Sequence, residues 1–153
     1  MRQESGRSLI EIIGVLAIGT IMAVAAVEMY GQIRTSQTRT IVSSELEHLA
    51  KNVKLLSGAR GTYAGISVDY LVKAGALKTP NAPIGGDDWS VTPSFDEKSF
   101  SINLVGLSSG ECEYFATKKN EWATSVLING FAPNADSSSC FSTNTNQVSF
   151  IVE

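Results

Sequence analysis

The stretch Ser8–Val27, SLIEIIGVLAIGTIMAVAAV, decides how the rest of the chain is read. From Leu9 to Val27 every residue is apolar or small except Thr20 and one carboxylate, Glu11. About nineteen such residues at 1.5 Å rise nearly cross a hydrocarbon core of roughly 30 Å, which predicts a membrane-spanning helix. A carboxylate inside such a helix costs on the order of several kcal/mol unless it meets a partner, so Glu11 is a functional residue by default.

Three plainer readings compete. A secretory signal would use Arg2 and Arg7 as its basic region and Ala23-Val24-Ala25 as its cleavage site, but the run exceeds the usual length of about 7–15 residues and contains Glu11. A simple anchor explains the length but not the carboxylate. A buried core helix would need a charged face, and none appears before Glu28.

Past Val27 the helical pattern becomes amphipathic. Val42, Leu46, Leu49, Val53 and Leu56 recur at spacings of four, three, four and three, a seam on one helical face. No proline interrupts Ser8–Ser57, so one helix of about fifty residues is expected, ending at Gly58 as the residue just beyond it. Gly14 and Gly19, with Ala17, Ala23, Ala25 and Ala26, let helices approach closely in the apolar half.

The remainder reads as a small α+β head. Gly58–Gly65 is a connector, Ser67–Gly75 a short helix capped by Ser67, and Thr79–Gly86 a loop forced by its prolines and glycines. Trp89–Phe95 and Ser99–Val105 alternate like strands, joined by Asp96-Glu97-Lys98, and Ala123–Ile128 and Val148–Val152 read as two more. Cys112–Lys118 is a candidate helix with Ser108 or Ser109 as cap. Phe131–Asn146, rich in Ser, Asn and Thr, is a poor core former with Cys140 as its one anchor.

Charge narrows the function. The net charge of −3 argues against a nucleic-acid binder. The acid lies in 58–153, with ten acids against six bases, while 7–57 carries four acids against five bases. No Ser-His-Asp set, no His beside a Cys and no metal-ligand spacing occurs, so neither catalytic residues, a metal nor a cofactor is expected. His48, the one histidine, reads as a solvated or interface side chain, and Asp87-Asp88 as solvated aspartates. If the head is exported, its two cysteines, Cys112 and Cys140, are naturally read as a disulfide.

The run Gly6-Arg7-Ser8-Leu9-Ile10-Glu11 resembles the processing site of type IV prepilins. That resemblance implies cleavage by a prepilin peptidase between Gly6 and Arg7, N-methylation of Arg7, and a subunit-assembly role for Glu11. Arg7 stands where the family usually has Phe or Met. Pro83-Ile84-Gly85-Gly86, the strand pair, and Val105-Gly106-Leu107 shortly before Cys112 look like the head of a type IVb pilin, in which two cysteines at the positions of Cys112 and Cys140 pair. Glu28 occupies the place where most type IVa pilins carry proline.

The resemblance implies a leader over 1–6, a membrane and polymerisation helix over 7–30, its amphipathic continuation over 31–57, and a head over 58–153. It implies a structural subunit, not an enzyme. The subunit would be held in the inner membrane with a periplasmic head, among lipids, then polymerised by pilus assembly machinery into a homo-oligomeric surface filament. A secretion pseudopilin and a non-polymerising anchored binding module are the alternatives.

Overall fold

The computed structural model describes the backbone of residues 2–86, 88–133 and 139–153, and the side chains of these except 2–8, 18–22 and 24. Gly6 and Arg7 therefore lie outside the described side chains, and Asp87 outside the described residues altogether. The elements run α1 (Arg2–Gly58), α2 (Val68–Lys73), β1 (Ser90–Pro93), β2 (Phe100–Leu107), α3 (Ser109–Thr117), β3 (Ser125–Ile128) and β4 (Asn146–Val152). Two compact units result, one ending at Thr38 and one running Arg39–Glu153, so α1 contributes to both.

In the second unit the expected seam of α1 is the core. Val42, Leu46, Leu49 and Val53 are buried, Ala50 joins them, and Leu56 packs against them half-buried. The helix runs a little beyond expectation. Gly58 is its last residue rather than the one after it, Arg60 and Gly61 both donate to the Ser57 carbonyl at 2.9 Å, and the chain reverses at Gly61 with φ +70°. At the other end the helix begins at Arg2, so the polar residues 2–6 are helical in backbone.

The sheet has the order β1-β2-β4-β3 and is antiparallel throughout. Phe100, Ile102 and Leu104 of β2 stand opposite Val152, Phe150 and Val148 of β4, and all six are buried on the core face. The opposite face is a polar stripe. Ser90, Thr92, Ser101, Asn103 and Ser149 share it, with Asn103 donating to Ser90 Oγ at 3.2 Å and Thr92 and Ser101 hydroxyls 2.7 Å apart. Strict period-two alternation is what separates these faces.

Strand ends differ from the sequence pattern for local reasons. β1 stops at Pro93 because Ser94 turns into a hydrogen-bonded tip. β2 continues to Leu107 through an irregularity between Leu104 and Leu107, where Gly106 takes φ +71°. β3 begins at Ser125 rather than Ala123, and β4 at Asn146 rather than Val148. α3 begins earlier than expected, at Ser109. Ser108 is the cap, and a reciprocal capping box with Glu111 closes it, the Ser108 N–H donating to Glu111 Oε2 at 2.9 Å. The Thr79–Gly86 loop is joined to the chain before β1 by a bridge from Asn81 to Asp88 and by the Trp89 N–H, which donates to the Pro80 carbonyl at 2.7 Å. Gly85 is obligatory there: a Cβ would sit 2.1 Å from the Val105 carbonyl oxygen, and its φ is +79°.

Candidate functional site

Two regions carry what the sequence singles out. The first is the apolar half of α1. Leu9, Ile10, Ile12, Ile13 and Val15 are all more than half exposed, as are Val27, Met29, Tyr30 and Ile33. Glu11 is exposed among them, and a Cβ at Gly14 or Gly31 would meet nothing within 4 Å. A helix hydrophobic around its circumference is unstable in water unless lipid or other helices cover it. Among the described residues no helix is long and apolar enough to cross a membrane; residues 18–22 and 24 of the apolar run lie outside the described side chains.

The second region is the disulfide segment of the head. Cys112, buried on α3, bonds Cys140 with a Cα–Cα distance of 5.9 Å. The bridge is not the segment's only anchor, as the sequence suggested it would be. Asn146, at the head of β4, is 0% exposed and gathers the loop around its amide. Its Oδ1 accepts from the Phe141 N–H at 2.6 Å and from Asn129 Nδ2 at 3.1 Å. Its Nδ2 lies 2.9 Å from the Phe141 and Thr143 carbonyls and 3.1 Å from that of Leu107. Asn129, left-handed at φ 49°, donates to Ser139 O at 2.9 Å and accepts from Gln147 N–H at 2.8 Å. Asparagine tolerates that conformation, and its short amide closes such local turns.

Around the head, ionisable groups pair locally rather than converge. Lys51 Nζ donates to Glu47 Oε1 at 2.7 Å, and this bond holds the Glu47 carboxyl below its ordinary range. Asp96 is likewise held down, chiefly by the Ser94 hydroxyl and then by the Lys98 N–H. His48 is exposed, and among the described residues no group of His, Cys, Asp and Glu could hold a metal. The guanidinium of Arg39 lies 4.9 Å from the Tyr114 ring centre, with its Nε buried and unbonded. Arg60 covers Tyr70 and donates to its hydroxyl. The first contact ties α1 to α3 and the second ties the turn after α1 to α2, and both have the character of structural clamps.

A long N-terminal helix, amphipathic where it packs on a small antiparallel sheet, with one disulfide fastening a late loop, is the fold of a type IV pilin. Among solved structures the chain is similar to TcpA, a type IV pilin from Vibrio cholerae El Tor biotype. The likeness has a TM-score of 0.61 at 14% identity and covers 76% of this chain and 99% of that one. No family model matches the sequence, and no curated protein matches it either. The shared fold is thus carried by architecture rather than by residue identity.

Proposed function

We propose that the protein is the structural subunit of a type IV pilus, held in the inner membrane and polymerised through the N-terminal half of α1 into a surface filament. The observation that carries the reading is the combination of a pilin head with a helix whose apolar side chains stand exposed around Glu11. Such a helix is equally at home in lipid and among copies of itself, so one segment serves for storage and for assembly. Adhesion, aggregation, motility or conjugative contact would follow from the filament.

Processing supplies the switch between the two states. Cleavage by a prepilin peptidase between Gly6 and Arg7 frees the α-amino group of Arg7, the residue that would be N-methylated. Glu11 of a neighbouring copy then finds a cation that the precursor lacks. A charge pair in a low dielectric adds little net stability, but leaving either member unpaired is costly, so the pair enforces register. The six-residue leader, the 7–30 polymerisation segment, the 31–57 continuation and the 58–153 head are the working divisions of this scheme.

The experiment is N-terminal sequencing of sheared surface material. Filaments whose subunit begins at Arg7 support the proposal, and Gly6→Ala should leave the leader attached because a subsite built for glycine has no room for a side chain. A subunit beginning at Ala26, or a wild-type chain never found in sheared material, refutes it.

A further inference from the structure

The turn joining β1 to β2, Ser94–Ser99, is firmly built. Ser94 N–H donates to Ser99 O at 2.9 Å and Glu97 N–H to Ser94 O at 3.1 Å. Lys98 N–H donates to Asp96 Oδ1 at 3.3 Å and Ser99 N–H to Ser94 Oγ at 3.1 Å. Glu97 takes φ 57°; its carbonyl accepts the Tyr63 N–H at 2.9 Å and its carboxylate the Thr62 hydroxyl at 3.2 Å. This scaffold presents Phe95 wholly to solvent, at 107% relative exposure, beside Asp96 and Glu97. The hydrogen-bonded turn fixes the backbone beneath the ring, so docking has only the Phe95 side chain to order, which makes it an efficient anchor.

The complement lies on the same head. Lys118–Trp122, the segment leading from α3 into β3, forms with one face of α1 a groove of about 680 Å³. Trp122, half-buried with its ring 5.2 Å from that of Phe150, gives the groove an aromatic wall. Lys51, Lys118 and Lys119 line it against the carboxylates of Glu47 and Glu121, and Glu47 is already engaged by Lys51. The groove is therefore net positive, and the tip, with Asp96 and Glu97 against Lys98, net negative.

We propose that Phe95 of one copy seats against Trp122 in the groove of a second copy, with Asp96 and Glu97 facing Lys118 and Lys119. A tip cannot fill its own groove. It leaves β1, the groove flanks β3, and these are opposite edges of the sheet, three strand spacings or about 14 Å apart. The contact joins two different patches, so it propagates from copy to copy instead of closing a symmetric dimer. It rests on the filament reading and adds to it a head-to-head bond independent of Glu11.

The test uses the full-length chain assembled on cells. Lys98→Cys combined with Glu121→Cys, both at exposed positions and leaving Phe95 in place, should give a ladder of disulfide-linked dimers, trimers and higher species in sheared filaments, collapsing on reduction. Neither single variant should give a ladder. Phe95→Ala, which removes nothing from the core, should lower sheared filament yield by roughly tenfold or more, the effect of truncating an interface anchor. Lys118→Glu with Lys119→Glu should do the same and abolish the ladder. Filaments of the double-cysteine variant that run as monomers, or a normal yield from Phe95→Ala, overturn the contact while leaving the filament reading intact. Wild-type cells without sheared filaments overturn both.

Discussion

Replacing Asn146 with Ala should cost the head more stability than any exposed polar substitution. The side chain is wholly buried and bridges the loop to Leu107, thirty-nine residues away in sequence. Phe141 and Thr143 are exposed, so their carbonyls can recover water once the amide is gone. The Leu107 carbonyl and the Phe141 N–H are less fortunate, since the first lies in the core and the second is half-covered. A buried group without a partner costs about 1–3 kcal/mol; with the Leu107 carbonyl at that full cost and the half-covered Phe141 N–H at somewhat less, a loss of roughly 2–5 kcal/mol is expected. For a unit the size of Arg39–Glu153 each kcal/mol moves the midpoint by about 4 °C, placing the variant some 8–20 °C lower. Thermal unfolding of the full-length chain in detergent, followed by near-ultraviolet circular dichroism, measures this. Thr143→Ala, which removes only an exposed hydroxyl pair with Thr145, is the control and should barely move the midpoint. A drop of less than about 2 °C for Asn146→Ala, on the same conversion, would mean the amide is incidental and the disulfide alone holds the segment.

Other outcomes follow from the same contacts. Glu11→Gln should leave the head folded and membrane insertion intact, yet abolish or sharply reduce sheared filaments, with the protein retained in the inner membrane; normal assembly as the only copy refutes the register role. Replacing both Cys112 and Cys140 with Ser should destabilise the head by about 3–4 kcal/mol, the chain-entropy value for a loop with a separation of 28, read as a shift in denaturant midpoint. Glu47 and Asp96 are both held below their ordinary values of 4.5 and 3.8. Their contributions are present at neutral pH and are lost as pH falls through and below that range, because the unfolded carboxylates take up protons first. Both groups are exposed and screened, so Glu47→Gln with Asp96→Asn should flatten the acid limb of a stability–pH curve only slightly.

The helix and its buried stripe were legible because hydrophobic spacing has a single meaning over about four turns: Val42 to Leu56 can share a face only on a helix. The capping serine before α3 was legible to within one residue, since either Ser108 or Ser109 could cap until Glu111 selected the first. Asn146 was not legible. It stands in a run of Ser, Asn and Thr that reads as solvated loop, and only the fold shows that β2 delivers the Leu107 carbonyl to it. Gly85 looked like half of a turn, whereas its reason is the backbone of Val105 pressing from another element. Phe95 looked like the end of a strand, and no local pattern reports that Ser94 and Asp96 turn it outward. Glu11 stood out as a lone carboxylate among apolar residues, but the assembly role proposed for it rests on the neighbouring Gly6-Arg7 motif. The general rule is visible here: periodicity survives in one dimension, while convergence on a point does not.

β4 follows all the other strands in sequence yet occupies an inner position, hydrogen-bonded to β2 on one side and β3 on the other. While the chain is being synthesised, β2 can pair only with β1, and β3 has no strand to join, until β4 arrives. Phe100 must then wait about fifty residues for Val152, a long-range closure of the kind that slows folding. Completion of the head is thus tied to completion of the chain, and a chain stopped short of β4 exposes Phe100, Ile102 and Leu104 as an open, sticky ledge. Quality control acting on the chain would have a clear signal to read: the ledge is completed only when the last strand is home.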